Sequence, residues 1–93
     1  MGRQLVVKAR FQRAYDRLSA PEQDLAKKAL RLLQQYLETS HAPGGLGLKK
    51  LGPGVYEFRV GLALRGVYVE ERSVLALALL GSHDEVRRFL RHS

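Results

Sequence analysis

Four ionisable residues in the C-terminal half of the chain have types that suit phosphate chemistry. Glu57 and Arg59 lie in the run VYEFRV, Arg65 lies in LRGVYVEE, and His83 follows the segment LALLGS. An arginine guanidinium can hold two phosphate oxygens at once. Histidine gains and loses protons near neutral pH, and a carboxylate can act as a general base. Together these groups could stabilise charge on a phosphate and move protons around it.

Strand alternation assigns these residues to faces of a predicted sheet. In VYEFRV, Glu57 and Arg59 are two residues apart and share a face, which predicts that both lie on an exposed surface. Arg65 shares a face with Val67 in an otherwise apolar strand, where a charge without a role is costly. Arg65 is therefore the strongest candidate. The alternative is an arginine that extends to water or pairs with Glu57 or Glu70.

Other candidates have a structural explanation of similar weight. His83 stands where the last predicted strand passes into a helix, so it could instead help Ser82 to cap that helix. Glu57 could equally be a cross-strand ion-pair partner. Lys49 and Lys50 precede the first predicted hairpin, where lysines also protect edge strands from pairing. The two remaining histidines, His41 in a glycine-rich loop and His92 at the chain end, are expected to have no role.

The elements that must position these residues change from helical to strand periodicity along the chain. RQLVVKARF (3–11) predicts an opening strand, and FQRAYDRLS (11–19) predicts a short helix. A long helix follows, with Ser19 as N-cap and Glu22 three residues later. Its apolar stripe consists of Leu25, Ala29, Leu32, Leu33, Tyr36 and Leu37. The glycine-rich loop HAPGGLG ends it, and four short strand-like runs and a final helix (82–93) follow.

This order predicts an α+β fold in which two N-terminal helices pack on one face of a curved, mainly antiparallel sheet of about four to five strands. A short C-terminal helix completes it. The fourth run, SVLALALLG, is apolar on both faces and suits a central strand covered on both sides. The opposite face of the sheet is expected to be free to bind a partner.

Composition limits the class of protein. Sixteen lysines and arginines against nine acids give a net charge of +7 over 93 residues, which favours nucleic acid, an acidic protein or an anionic membrane surface as partner. No apolar run is long enough to span a membrane, and the N-terminus lacks a signal-peptide core. The chain contains no cysteine, which excludes disulfides and thiolate metal sites. We therefore expect one cytoplasmic domain over 1–93, with no metal and no cofactor.

The segment LKKLGPGVYEFRVGLALRGVYVEERSVLALALLGSHDEVRRFL resembles the C-terminal half of the RelE/ParE superfamily of bacterial toxins. The basic LKKL, the glycine turn, YEFRV, the arginine of LRGVY and the apolar strand that ends in LLGSH carry the resemblance. The preceding strand, short helix and long helix match as well. In this superfamily, RelE-like members cleave mRNA in the ribosomal A site, whereas ParE-like members inhibit DNA gyrase and are not nucleases.

The resemblance implies roles for individual residues. Arg65 matches the strand arginine that stabilises the phosphate, and Arg59 matches a second basic position. His83 lies where RelE-like toxins carry a basic catalytic residue, and Glu57 matches a strand carboxylate that some members use as general base. Lys49 and Lys50 match a basic stretch that contacts RNA. A cognate antitoxin is the implied partner, in a possible hetero-oligomer that covers the positive face, beside the ribosome and mRNA.

The C-terminal helix departs from the RelE pattern. RelE-like toxins often have a tyrosine six residues after the basic junction residue, and this chain has Phe89. A phenyl ring can stack on a base but cannot transfer a proton, so proton transfer would depend on His83 and Glu57. The spacing of Phe89 from Val86 also suits a packing role. Arg87 and Arg88 would face solvent or RNA phosphate. A ParE-like gyrase inhibitor, or an RNA-binding relative without catalysis, stays the alternative.

Overall fold

The computed structural model describes residues 4–92, which form one five-stranded sheet and three helices. The strand order is β1-β5-β4-β3-β2, with β1 parallel to β5 and the other pairs antiparallel. This confirms the α+β class and the mainly antiparallel sheet. The elements are β1 (Gln4–Val7), α1 (Ala9–Asp16), α2 (Ala20–Thr39), β2 (Lys49–Gly52), β3 (Val55–Val60), β4 (Leu64–Glu71), β5 (Val74–Gly81) and α3 (His83–Arg91).

The first strand is shorter than its sequence predicts. Arg3, where the predicted strand starts, lies outside the described residues. The extended backbone ends at Lys8, whose N–H donates to the Leu77 carbonyl at 3.0 Å, and α1 begins at Ala9 rather than Phe11. Alanine favours the helix, and pairing with β5 has already ended there. The residues that follow β1 therefore belong to α1.

The predicted capping box of α2 is confirmed. The Ser19 hydroxyl accepts a hydrogen bond from the Glu22 N–H at 3.3 Å, and the Glu22 carboxylate accepts one from the Ser19 N–H at 3.0 Å. The Ser19 hydroxyl also donates to the same carboxylate oxygen at 3.0 Å, and the bond from the Ser19 N–H, followed by this one, lowers the pKa of Glu22 below its ordinary 4.5. The helix ends before Ser40, which adopts a left-handed conformation with φ 63°.

Substituting Ser19 with alanine is expected to reduce the free energy of unfolding by about 1 kcal/mol, because the N3 amide loses its acceptor. Urea denaturation at neutral pH measures the effect, and Ser73→Ala in the exposed turn after β4 serves as control. The contribution of Glu22 to stability also depends on pH. Because folding lowers the pKa of Glu22, its stabilising effect is present above about pH 4.5 and is lost as the pH falls through the lowered pKa. An equal loss in both serine variants would contradict the capping role.

The buried face of α2 differs from the predicted stripe by a small rotation. Its buried side chains are Ala26, Ala29, Leu33 and Leu37, whereas Leu25 is 45% exposed. Leu25 lies instead at the rim, beside Gly61. A Cβ added at Gly61 would lie 2.9 Å from the Cδ1 atom of Leu25. Alanine faces the sheet at two positions, and its small side chain lets α2 approach β3 closely. Periodicity alone could not distinguish these neighbouring rows.

Two apolar clusters lie on opposite faces of the sheet. The larger one joins α1 and α2 to the sheet through residues such as Phe11, Leu33 and Phe58. In the smaller one, Val86 of α3 packs on Val67 and Leu79 of the sheet. The prediction that this second face is free is therefore wrong, because α3 packs over β4 and β5. Only part of that face stays open.

A β-bulge explains how β5 serves both clusters. Val67 pairs with Leu79 and Tyr68 pairs with Leu77, so Ala78 is the extra residue between them. The bulge changes the alternation: Leu77 and Leu80 both pack in the larger cluster, while Leu79 packs under α3. This arrangement confirms that β5 is covered on both sides.

Among residues 4–92, no helix combines the length and hydropathy that a bilayer span requires.

Candidate active site

Strand register brings four charged residues to the face of the sheet opposite α1 and α2. Lys49 on β2 pairs with Glu57 on β3, and Arg59 on β3 pairs with Arg65 on β4. Directly opposed residues of an antiparallel pair share a face, with Cβ atoms about 5 Å apart. We call Lys49, Glu57, Arg59 and Arg65 the sheet cluster. It contains three cations and one carboxylate on three adjacent strands.

The guanidinium of Arg65 is held on one side and available on the other. Its Nη1 donates to the Leu64 carbonyl at 2.9 Å and to the Leu62 carbonyl at 3.4 Å, and its Nε lies 3.7 Å from Oε1 of Glu57. The side chain keeps 21% of its accessible surface. These contacts leave Nη2 without a partner among the described residues. Because the group is already oriented, it could bind a phosphate oxygen with little reorganisation.

Glu57 is buried, with 8% of its surface accessible, so the prediction that it lies on an exposed surface with Arg59 is wrong. The two residues share a face, but Glu57 lies between Lys49 of β2 and Val67 of β4, whereas Arg59 lies nearer the sheet rim. The alternative that Glu57 forms an ion pair is confirmed by its contact with Arg65. A buried carboxylate is costly to leave unpaired, so this contact stabilises both the acid and the orientation of the arginine.

Arg59 is directed toward the rim of the sheet. Its side chain packs over Gly47, where an added Cβ would lie 3.1 Å from the Arg59 Cβ and 3.5 Å from its Nε. Its N–H donates to the Leu46 carbonyl at 2.8 Å, which joins the glycine-rich loop to β3. Arg59 also lines a cavity of about 380 Å³ between this loop and α2. The Arg59 side chain therefore turns toward the α2 side of the rim, although its strand position lies opposite Arg65.

His83 is the first residue of α3 and is exposed. The helix is capped by other residues: the Ser82 hydroxyl accepts from the Glu85 N–H at 3.2 Å, and the Glu85 carboxylate accepts from the Ser82 N–H at 3.0 Å. The imidazole takes no part in this capping box. Arg65 pairs with Gly81, two residues before His83, so β5 delivers His83 to the end of the sheet where Arg65 lies.

Helical spacing places the α3 residues on two different flanks. Arg87 lies one turn after His83 and shares its flank. Phe89 lines a cavity with Arg10 of α1, so it lies on the opposite flank. Arg88 lies between the two flanks, because it lines this cavity and a second one that Arg87 also lines. Arg87 thus lies on the flank of His83, and Phe89 lies away from the sheet cluster. Phe89 packs against the Val67–Leu79–Val86 cluster, as its spacing suggested.

Lys49 and Lys50 are exposed on the edge strand β2 and point to opposite faces, because successive side chains of a strand alternate. Only Lys49 shares the face of the sheet cluster.

Sequence reasoning missed three contributors to this region. The carbonyl groups of Leu62 and Leu64, which hold Arg65, carry no sequence signal because backbone acceptors are present at every position. Gly81 was also missed: an added Cβ there would lie 2.8 Å from the Glu85 carboxyl carbon, so glycine makes room for the capping box. The position of Gly81 between an apolar run and the cap residue Ser82 is the sequence feature that could have indicated this role.

Comparisons with known proteins add to this geometry. No protein-family model matches the sequence, and no curated protein matches it. Solved structures do match: a chain of the E. coli DinJ–YafQ toxin–antitoxin complex aligns with a TM-score of 0.70 at 15% identity, over 92% of this chain and 98% of that one. The isolated E. coli RelE toxin aligns with a TM-score of 0.63 at 19% identity, over 98% and 99%. This chain has the RelE/ParE toxin fold.

The RelE/ParE fold confirms the resemblance at the level of architecture. A third structure, the YoeB/ParE toxin from Agrobacterium tumefaciens, aligns with a TM-score of 0.64 at 19% identity, over 86% of this chain and 98% of that one. The matches span nearly the full length of each chain, so helices, sheet and C-terminal helix all correspond. At these identities the likeness concerns the fold, and the roles of individual residues stay predictions.

Proposed function

We propose that this protein is the toxin of a toxin–antitoxin module and acts as a ribosome-dependent, metal-independent mRNA endonuclease. The observation that carries the proposal is the arginine of β4: a RelE/ParE fold presents Arg65 oriented by two carbonyl groups and Glu57, beside two more cations. A net charge of +7 supports binding to RNA. The cognate antitoxin, the ribosome and mRNA are the proposed partners, in the cytoplasm, and no cofactor is required.

The proposed reaction uses the 2′-hydroxyl of the RNA as nucleophile. The 2′ oxygen forms a bond to the scissile phosphorus while the bond to the 5′ oxygen breaks, which yields a 2′,3′-cyclic phosphate and a free 5′-hydroxyl. Arg65 stabilises the negative charge that develops on the phosphate oxygens, with Arg59 and Lys49 nearby. His83 protonates the leaving 5′ oxygen, since its exposed imidazole stands at the same end of the sheet.

Removal of the 2′-hydroxyl proton is assigned to Glu57, whose carboxylate has a second role in orienting Arg65. The contact with Arg65, at 3.7 Å, is made by Oε1 of Glu57, and Oε2 is proposed to accept the proton. Phe89 cannot take the proton because it has no hydroxyl group. Lys49, Lys50 and Arg87 are proposed to bind phosphates of the RNA, with Phe89 on the other flank of α3 and Arg88 between the two flanks.

The test is expression of the chain from an inducible promoter, with primer extension to map cleavage of mRNA on translating ribosomes. We expect growth arrest together with cleavage. His83→Ala is expected to lower the cleavage rate by about a hundredfold or more, because general acid catalysis contributes about 10² to 10⁴. His41→Ala, in the exposed loop after α2, is the matched control and should cleave like the wild type.

One observation favours a second function. Phe89 of α3 packs against the sheet where RelE-like toxins often carry a tyrosine, and the YoeB/ParE toxin from Agrobacterium tumefaciens shares the fold. A gyrase inhibitor would need the basic surface without proton transfer. Growth arrest with intact mRNA and loss of gyrase supercoiling would therefore contradict the nuclease proposal. Full cleavage by both Arg65→Ala and His83→Ala would show that the assigned residues are wrong.

A further inference from the structure

A second concentration of positive charge lies on the other side of α3. A cavity of about 410 Å³ opens between the start of α1 and α3, and it is lined by Arg10, Glu85, Arg88, Phe89 and His92. Three of these five residues are cationic or can become so. The cavity is distinct from the sheet cluster because α3 stands between them. His92, for which the sequence predicted no role, is part of it.

The two arginines of this cavity have donors available. The Cζ atom of Arg10 lies 5.8 Å from the centroid of the Phe89 ring. A cation–π contact of this kind takes none of the N–H groups into a hydrogen bond, so they stay available as donors. Within residues 4–92, no ion pair or hydrogen bond engages the guanidinium of Arg10 or of Arg88. The phenyl ring therefore limits the motion of Arg10 without using its donors.

The one carboxylate in the cavity is already engaged. Glu85 accepts the hydrogen bond from the Ser82 N–H at 3.0 Å and folds back over Gly81. Its negative charge lies at the positive end of the α3 dipole, where it is partly compensated. Glu85 does not pair with either arginine, and the cavity stays cationic.

We propose that this cavity binds a phosphate group of an RNA strand, beyond the phosphate that the sheet cluster would hold. A phosphate has several oxygens that can accept from both arginines and the imidazole at once, whereas a carboxylate would be satisfied by one arginine. An α-helix with its side chains is about 10 to 12 Å across, so phosphates on the two sides of α3 would be a few nucleotides apart along the strand. The proposal rests on the proposed function, because it assumes that the sheet cluster receives RNA.

The test measures binding without cleavage. A short 2′-O-methyl oligouridine cannot supply the attacking hydroxyl, and fluorescence anisotropy gives its affinity at several salt concentrations. We expect Arg10→Ala and Arg88→Ala each to bind about tenfold more weakly. The slope of log affinity against log salt should become shallower by about 0.7 for each lost phosphate contact. Arg10→Lys and Arg88→Lys should retain most of the slope, since they keep the charge.

Arg31→Ala is the matched control, because Arg31 is exposed on α2 and its removal changes the net charge by the same amount. An equal loss in this variant would overturn the site, as would wild-type binding by both alanine variants. Stronger binding of an acidic peptide than of the oligouridine would also overturn it and indicate a protein-docking site. Failure of the proposed function gives a different pattern: the arginine variants lose affinity, but the wild type cleaves no mRNA.

Discussion

Replacement of Arg65 by alanine is expected to lower the rate of mRNA cleavage by about a hundredfold to a thousandfold. This is the typical effect of removing one oriented donor that stabilises negative charge in a transition state. Arg65 is oriented by the carbonyls of Leu62 and Leu64 and by Glu57, so a neighbouring cation cannot replace it without reorganisation. Single-turnover cleavage of mRNA on purified ribosome complexes measures the effect.

The control must separate chemistry from stability. Arg65→Ala leaves the buried Glu57 without its partner, and an unpaired buried charge destabilises a fold. The double variant Glu57→Gln/Arg65→Ala removes that charge, so its thermal unfolding should return toward the wild type; it is used for stability alone, because Glu57 is also the proposed base. Arg65→Lys keeps the charge but loses the planar pair of N–H donors, and we expect partial activity. Recovery of wild-type cleavage by Arg65→Ala at a temperature well below its unfolding midpoint would show that Arg65 acts only through stability.

Replacement of Gly66 by alanine is expected to reduce the free energy of unfolding by about 3 kcal/mol, the upper end of the usual cost of overpacking a core. Gly66 pairs with Phe58 on the neighbouring strand, and the phenyl ring lies across it. An added Cβ would lie 2.6 Å from the Phe58 Cε2, and Phe58 is fully buried. The ring would have to leave its position beside Tyr68, and the larger cluster would repack.

Urea denaturation checks this expectation, with Gly52→Ala as control. Gly52 lies on the edge strand, and an added Cβ there would meet no atom within 4 Å. We expect a change within about 0.5 kcal/mol for the control. Similar stability of the two variants would mean that the ring moves at little cost. Phe58→Leu combined with Gly66→Ala should recover part of the loss if the overlap is the cause.

The two substitutions concern opposite faces of the same strand, β4, and they separate function from folding. Arg65 faces the sheet cluster, and Gly66 faces the larger apolar cluster one residue later. Gly66→Ala should therefore lower stability while the folded protein keeps its cleavage rate, whereas Arg65→Ala should lower cleavage by more than its loss of stability explains.

The sequence by itself determined the order of the elements and the strand faces of the candidate residues. Its change from helical to alternating periodicity predicts two helices, a meander and a final helix, and the structure has this order. Ser19 and Glu22 predict the start of α2 because a capping box is a local interaction, complete within four residues. Alternation likewise predicts that Arg65 and Val67 share a face of β4. This too is local information, because residues two apart on a strand point to the same side.

Only the tertiary structure decided which of these faces are covered and which charges meet. The burial of Glu57 and its contact with Arg65 depend on strand register, and the covering of Val67 and Leu79 depends on α3, which packs across the sheet from a distant part of the chain. The meeting of Arg10 with Phe89 joins two helices that the sequence separates by most of its length. Residue type and spacing carry local information, whereas these contacts arise from packing between elements, and packing decides between an exposed charge and a buried one.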